Sequence, residues 1–375
     1  AIDGWSRGRK LLVVYDEAHR AKRGSTGEHG RGALDLAELA TRRLVLTGTP
    51  MPNGPEDLVA MLDLAWPGHG SFLGSPYTPR GDRSWVRITK DELDLEPASV
   101  VVHSVPLDGN HQRIYQAVAH GLSADPTALE ARPELASTAI ARLVAAASNP
   151  ALLATDMDAT EVNWAGDLPG GDASLLELLN DLSGAARPAK LLAAAALAKE
   201  HADRGEKLLV WTNYIGNVKE LERLLAPLAP AVITGSVVRD DPAASTDRVR
   251  QLKKFREDPT CTVLIATPQT LGEGVSLHHA CQSQVHVDRT FNAGLYLQAL
   301  DRTHRVGMPP GTKARVTVLV AQGTIDEQIE LSLNRKLLEM DEKLRDPTLR
   351  RLAEPDRTGH GMGPEEVASL IDHLL

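Results

Sequence analysis

The stretch Leu11-Leu12-Val13-Val14-Tyr15-Asp16-Glu17-Ala18-His19 decides how the rest of the chain is interpreted. Five mostly apolar, β-prone residues run directly into two carboxylates, which predicts a buried parallel strand ending at Asp16 and Glu17. Ligands of open α/β sheets bind outside the carboxyl ends of the strands. One carboxylate there can hold Mg²⁺ through water, and a second can orient or deprotonate an attacking water. Hydrolysis of a nucleoside triphosphate needs both, besides a phosphate cradle; the alternative is a strand followed by an acidic helix cap.

The composition limits the classes of function that fit the chain. Its 375 residues suffice for two or three domains, and its net charge of −9 requires any nucleic-acid site to be a local basic surface. The two cysteines, Cys261 and Cys281, have no metal-type spacing and fit a reducing compartment, so we expect a cytoplasmic location of the bacterial type. No apolar run approaches membrane-spanning length, and no signal-peptide pattern occurs, so no membrane partner is expected.

The first hundred residues are predicted to form part of a parallel α/β sheet. We predict strands at 11–15, 43–47 and 99–105, and helices at 33–41 and from Asn53 or Gly54 to Asp63. The second strand opens into Thr47-Gly48-Thr49-Pro50, which is typical of a loop at a sheet edge.

A second α/β set follows a mainly helical region that begins at about residue 110. We predict strands at 208–212, 232–234, 262–266, 284–288 and 314–320, and helices at 190–205, 216–226, 246–257 and 294–304. Thr324-Ile325-Asp326-Glu327 predicts a capped helix start. Each of the two α/β sets therefore places reactive residues at strand ends.

Taken in order, these stretches resemble the Swi/Snf-type helicase-like ATPases of helicase superfamily two. Asp16-Glu17-Ala18-His19 is similar to the family's magnesium and water motif, and Gln298 to Gly307 is very close to its arginine-finger motif. The other matching stretches are Leu46 to Asn53, Ser104 to Leu107 with Gln112 and Tyr115, Leu208 to Thr212, Thr267 to Leu277, and Asp288 with Asn292. The sequence departs from the family at Leu271, Glu273, Ser276, Phe291, Ala293 and Met308.

The resemblance implies an α/β fold of two RecA-like parallel-sheet lobes, the first incomplete, with a helical insertion between them. It places the end of the first lobe at residues 1–107, the insertion at 108–188, the second lobe at 189–345 and a tail at 346–375. The implied activity is ATP-dependent translocation on double-stranded DNA, with ATP and Mg²⁺ as cofactors. A strand-separating helicase, a phage-defence or restriction motor subunit and a protein partner in a larger complex stay open.

The resemblance also implies the site residues. Asp16 would hold Mg²⁺ through water, and Glu17 would polarise the attacking water. Gly274 and Gln298 would bind nucleotide, and Arg302 and Arg305, three apart on one face of a predicted helix start, would stabilise charge on the γ-phosphate. Coupling or nucleic-acid contacts would come from Thr47, Gly48, Thr49, Thr212, Thr267 and Gly272. The basic residues Arg248, Arg250, Lys253, Lys254 and Arg256 favour a solvated helix face and a nucleic-acid track about equally.

A phosphate-binding loop is the largest departure from the family pattern. No stretch of Gly-Lys followed by Ser or Thr occurs in the sequence, and Gly24-Ser25-Thr26-Gly27 lies after the carboxylate strand. We therefore expect this sequence to be the later part of a longer polypeptide whose upstream segment supplies the loop. The alternatives are a split motor that takes its loop from another chain and a scaffold that binds DNA or a partner without hydrolysing ATP.

Overall fold

The computed structural model describes residues 2–6, 8–22, 24–52, 54, 56–68, 86–123, 133–153, 188–235, 248–271 and 275–355. The chain divides into two compact units. The first comprises Ala1–Leu93, Phe291–Gln298 and Leu333–Ala353, and the second comprises Asp94–Thr290, Ala299–Ser332 and Glu354–Leu375. None of the helices in the described ranges is long and apolar enough to cross a membrane.

The first unit contains a two-stranded parallel sheet. Strand β1 (Leu12–Tyr15) pairs with β2 (Arg42–Val45), and Val14 lies opposite Leu44. The helix Glu28–Leu39 (α2) connects the strands, after the short helix Ile2–Ser6 (α1), and Glu56–Ala65 (α3) follows β2. Helix α3 begins at Glu56 with two acidic residues in its first turn, where they complement the helix dipole. Both helices therefore lie close to where the sequence predicts them.

The strand β1 is only half-buried, so the prediction of a strand buried on both faces is wrong. Leu12 and Val14 are 56% and 50% exposed, and Leu44 and Leu46 on the same face are 52% and 49% exposed. The opposite face packs onto a small core around Ala18, Ala21, Met61 and Leu64. Apolar, β-prone strands of this kind are typical of parallel sheets that are covered on both faces. Within the described residues, however, one face of this sheet is open to solvent.

The second unit contains a six-stranded, fully parallel sheet in the order β3-β8-β7-β4-β6-β5. Its strands are β3 (Ser99–Val105), β4 (Leu208–Trp211), β5 (Ala231–Ile233), β6 (Val263–Ala266), β7 (Ser283–His286) and β8 (Arg315–Ala321). Every residue of the central strands β4, β6 and β7 is buried, which explains why β4 and β6 are continuous apolar runs without alternation. This sheet confirms the predicted parallel α/β class.

Strand β3 corrects the sequence prediction. We expected 99–105 to extend the sheet of the first lobe, but β3 pairs with β8 over its whole length, from Ser99 opposite Arg315 to Val105 opposite Ala321. Both strands are seven residues long, and all seven residues of β3 pair with β8. Periodicity identifies such a strand but not the sheet that it joins.

Further helices follow β3 along the described part of the chain. They are α4 (Gly109–Ser123), α5 (Pro133–Ser148), α6 (Ala189–Asp203), α7 (Ile215–Leu224), α8 (Arg248–Glu257), α9 (Pro268–Leu271), α10 (Ala293–Leu300), α11 (Ile325–Leu344) and α12 (Pro347–Ala353). The Ala-rich α6 packs its small side chains onto β3, β4 and β8 in the main core. The predicted cap is confirmed, since Thr324 Oγ1 accepts from Asp326 N at 3.2 Å and Glu327 Oε1 accepts from Gly323 N at 2.9 Å.

Helix α10 is shorter than predicted. It ends at Leu300, and residues 301–303 form turns. Arg302 and Arg305 therefore do not share a helix face, and that part of the prediction is wrong. The carbonyl of Arg302 instead accepts from Leu277 N at 2.9 Å, so the backbone turns away from the helical path to meet the segment after α9.

The open apolar face of the first unit makes a prediction about self-association. We expect the 375-residue chain to associate at micromolar concentration, and the double substitution Val14→Lys with Leu44→Lys to shift it toward the monomer, because charge on both strands opposes face-to-face contact. Sedimentation velocity measures the shift. Leu331→Lys, which charges another leucine exposed by 55%, is the control and should change nothing. A monomeric parent chain would contradict the prediction.

Candidate functional site

The carboxylate loop begins where β1 ends. Glu17 has φ 50° and ψ 47°, a left-handed conformation that is uncommon for residues other than glycine. Its backbone N–H donates to Asp16 Oδ1 at 3.0 Å, which folds the two acidic residues tightly together. Asp16 is exposed, and the Glu17 side chain is 42% exposed. Backbone strain of this kind concentrates at functional sites, and here it presents two carboxylates at a strand end.

His19 connects the carboxylate loop to two other predicted motifs. The ring is buried, with Nδ1 3.2 Å from Thr47 Oγ1 and 3.3 Å from Glu17 Oε2. Its Nε2 lies 2.8 Å from the side-chain amide nitrogen of Gln298. An amide nitrogen only donates, so Nε2 accepts and the ring proton of the neutral imidazole is on Nδ1, facing Thr47 and Glu17. One imidazole thus joins the Asp-Glu-Ala-His stretch, the Thr47 loop and Gln298.

The loop at Thr47–Thr49 is held against the carboxylate loop by its backbone as well. Leu46 O accepts from Ala18 N at 3.0 Å, and Thr47 Oγ1 accepts from Thr49 N at 3.2 Å. Thr49 is buried, and its hydroxyl has no hydrogen-bond partner within the described ranges. Gly48 has open space where a side chain would stand. Two direct contacts, Ala18 N to Leu46 O and His19 to Thr47, therefore join the carboxylate loop to this loop.

The first turn of α10 packs on the same loop. Asn292 caps the helix by accepting from Leu295 N at 3.0 Å. A Cβ atom on Gly294 would overlap Cβ of Pro52 and lie 3.2 Å from its Cα, so only glycine fits there without movement. Sequence analysis missed Gly294. Its signal is a glycine within a helical pattern, which often marks a close approach of two backbones.

The two predicted arginine fingers lie in the second unit. Arg302 is buried and donates from Nη1 to Val275 O at 2.9 Å. Arg305 is exposed and donates from Nη1 to Ser276 Oγ at 2.9 Å. Of the predicted residues, the first unit thus gathers Asp16, Glu17, Thr47 and Gln298 around His19. In the second unit, Arg302 and Arg305 bond to the consecutive residues Val275 and Ser276.

Thr212 and Thr267, predicted to contact nucleic acid, are buried. Thr212 Oγ1 donates to Asp288 Oδ2 at 2.6 Å, and Thr267 Oγ1 donates to Thr270 Oγ1 at 2.9 Å. The structure therefore gives both hydroxyls a role inside the fold. The predicted residues Gly272 and Gly274 lie outside the described residues.

Asp288, at the end of β7, is the centre of a buried polar network that sequence analysis did not identify. Its Oδ1 accepts from the backbone and side-chain nitrogens of Asn213, both at 2.7 Å. Its Oδ2 also accepts from Ser148 Oγ at 3.0 Å and Asn217 Nδ2 at 3.1 Å. A buried carboxylate needs this number of donors, and they fix the carboxyl ends of β4 and β7 together. The sequence signal for this network was an Asp that follows a buried strand.

The residues at the end of β1 fit a magnesium–nucleotide complex. Mg²⁺ in nucleotide sites takes one or two carboxylates and completes its octahedral shell with water and phosphate oxygens. Asp16 offers an exposed carboxylate whose Oδ1 is oriented by the Glu17 amide.

Comparisons with known proteins define the class. A model of the SNF2-related domain matches residues 6–71, and a model of the helicase conserved C-terminal domain matches residues 189–307. The chain is 24% identical over 345 residues to the human DNA annealing helicase and endonuclease ZRANB3, covering 89% of this chain and 30% of that protein. It is 23% identical over 410 residues to the human DNA excision repair protein ERCC-6-like, covering 88% of this chain and 31% of that protein.

Among solved structures, the crystal structure of the C-terminal part of the Fun30 ATPase domain matches with a TM-score of 0.46 and 20% identity, covering 72% of this chain and all of that one. The chain spans about 30% of the length of the curated relatives. Fold and motifs define a helicase-like protein with both conserved domain types. Over both matched domains the chain is similar to the Swi/Snf-type helicase-like proteins of superfamily two.

The Asp288 network makes a prediction about stability. We expect Asp288→Asn to lower the free energy of unfolding by about 3 kcal/mol, because an amide nitrogen replaces an acceptor that faces several buried donors. Urea denaturation followed by tryptophan fluorescence measures the loss. Asp203→Asn, at an exposed helix end, is the control and should stay within about 0.5 kcal/mol of the parent. Equal stability of both variants would contradict the assignment.

The close approach of Gly294 and Pro52 makes a second prediction. We expect Gly294→Ala to destabilise the chain by about 1–3 kcal/mol, because the added methyl group overlaps the Pro52 ring. Pro52→Gly removes the overlapped atom, so the double variant should recover part of that loss, and a double-mutant cycle in urea measures the coupling. Gly109→Ala, where a Cβ meets nothing within 4 Å, is the control. Additive single effects would contradict the contact.

Proposed function

We propose that this chain is part of an ATP-dependent motor that moves along double-stranded DNA. The observation that carries the proposal is the set of contacts of His19, which joins Glu17, Thr47 and Gln298. In this arrangement the His19 side chain contacts three proposed elements. They are the carboxylates that act on nucleotide, the loop that couples to DNA, and the start of the arginine motif. A change in nucleotide state then has a physical route to the other two elements.

In the proposed reaction, Asp16 holds Mg²⁺ through water and Glu17 orients the attacking water. Bound Mg²⁺ neutralises charge on the phosphates of ATP. Glu17 suits its role because its strained backbone fixes the carboxylate, and because the Nδ1–H of His19 lies 3.3 Å from Oε2 and keeps the side chain directed. A carboxylate so held can accept a proton from water at neutral pH.

Arg302 and Arg305 are proposed to stabilise negative charge that develops on the γ-phosphate. A guanidinium suits this task because it stays charged and presents several donors in one plane. The two residues differ in how they are held. Arg302 is buried and anchored to a backbone carbonyl, whereas Arg305 is exposed and bonded only to a serine hydroxyl. We therefore assign the direct phosphate contact to Arg305 and propose that Arg302 positions the turn that carries it.

Double-stranded DNA is the proposed track. The family includes relatives described as a DNA annealing helicase and as a DNA excision repair protein, which supports DNA as the class of polymer. The net charge of −9 requires a local basic surface for such a track, and Arg248, Arg250 and Arg256 on α8 are candidates for it.

A second function, that of a scaffold that binds DNA without hydrolysing ATP, is favoured by one observation. No Gly-Lys followed by Ser or Thr occurs in the 375 residues, so this sequence does not itself contain the phosphate loop. DNA-stimulated hydrolysis by the native polypeptide that carries this sequence separates the motor from the scaffold. Strand displacement on a forked duplex separates a helicase from a translocase.

The role of Glu17 is directly testable in that native polypeptide. We expect Glu17→Gln to lower DNA-stimulated ATP turnover by at least about a hundredfold while ATP binding is retained, because the amide cannot act as a base. Phosphate release measures turnover, and a fluorescent ATP analogue measures binding. Glu28→Gln, an exposed carboxylate of the same unit, is the control and should leave both unchanged. Undiminished turnover by the Glu17 variant would remove Glu17 from the proposed mechanism.

A further inference from the structure

Three arginines of the second unit, two of them from one segment, donate hydrogen bonds to the consecutive residues Val275 and Ser276. Arg302 binds Val275 O, Arg305 binds Ser276 Oγ, and Arg256, at the end of α8, donates from Nη2 to Ser276 O at 2.8 Å. Ser276 thus holds one guanidinium through its hydroxyl and another through its carbonyl. Arg256 is 46 or more positions from the other two in sequence, so only the fold brings it to Ser276.

Arg256 differs from the other basic residues near it on α8. Lys254 donates to Pro230 O at 3.0 Å, and Lys253, on an exposed face, lies 3.8 Å from the carboxylate of Glu257. These two have partners that account for them as parts of the fold or of a solvated helix face. Arg256 and Arg305 are both exposed, and neither contacts a carboxylate within the described residues.

Each of these two guanidiniums has donors left for a ligand. A guanidinium carries five N–H groups, and the contact with Ser276 occupies one nitrogen of each. Two exposed guanidiniums that both contact Ser276, with no carboxylate contact among the described residues, form a site whose complement is an anion with several oxygens.

We propose that Arg256 and Arg305, held on either side of Ser276, form a two-arginine binding site for a phosphate group. Arg256 is the residue that this adds to the site, since the arginine motif alone accounts for Arg305. The matching chemistry is supplied by a DNA backbone phosphate or by the terminal phosphates of a nucleotide. The site does not depend on hydrolysis, so it can be tested whether or not the chain turns over ATP.

The first experiment measures binding of a short fluorescent DNA duplex to the whole chain over a series of salt concentrations. The logarithm of the affinity falls linearly with the logarithm of salt, with a slope set by the number of phosphates neutralised. We expect Arg256→Gln and Arg305→Gln each to reduce that slope by about one. Lys253→Gln removes the same charge from the same helix and should leave the slope unchanged, because its ammonium lies beside Glu257.

The second experiment measures binding of inorganic triphosphate by calorimetry. If the site takes nucleotide phosphates, Arg256→Gln and Arg305→Gln weaken triphosphate binding while the DNA salt slope stays at the parent value. Arg256→Lys keeps the charge and should recover part of the affinity in whichever assay responds. Thermal melting establishes whether each variant is folded. If Arg256→Gln is not folded, Arg305→Gln is used to test the site.

Two outcomes would overturn the proposal. If Arg256→Gln changes neither the DNA slope nor triphosphate binding, Arg256 is only a structural tether for Ser276. If Lys253→Gln reduces the slope as much as Arg256→Gln, the whole face of α8 acts as a diffuse field and no defined site exists. Loss of ATP turnover in the Glu17 variant is independent of both results, so a failure of the motor hypothesis is distinguishable from a failure of this site.

Discussion

The buried carboxylate of Asp288 is the constraint on which the second unit depends. A parallel sheet brings all its strand ends to one edge, and those ends carry polar groups that must be paired once helices cover them. Asp288 accepts from Thr212, Asn213 and Asn217, which lie within six residues of one another, and from Ser148 in a separate part of the chain. It therefore fixes where β4 and β7 end relative to each other. The arrangement of every loop at that edge follows, including the segment on which the arginines lie.

In the first unit His19 is the centre of the polar network, but its partners differ from those of Asp288. Its partners Glu17, Thr47 and Gln298 are themselves candidates for chemistry or coupling, and Glu17 is partly exposed. All members of the network around Asp288 are buried, which suits a structural role. In the network around His19, the carboxylate of Glu17 is exposed to solvent. A support needs rigidity, but a coupling element needs at least one member that a ligand can reach.

The basic helix α8 shows how far charge patterns alone can be interpreted. Its sequence favoured a solvated face and a nucleic-acid track about equally, because both produce the same run of Arg and Lys. The contacts divide that run. Lys254 donates to a backbone carbonyl and Lys253 lies near Glu257, whereas Arg256 is directed toward Ser276 beside Arg305. Residues that look equivalent in sequence therefore have different partners, and only those without acidic partners remain candidates for binding an anion.

The sequence by itself determined the elements and the chemistry of the motifs. Apolar runs of strand length ending in polar residues predicted β1, β4 and β6, because local periodicity and turn residues are encoded within a few positions of each other. The tertiary structure decided what pairs with what. It assigned β3 to the second sheet, ended α10 before Arg302, and brought Gly294 to Pro52 and Arg256 to Ser276. These contacts join residues far apart in the chain, and no local pattern specifies them because they arise from packing of whole elements.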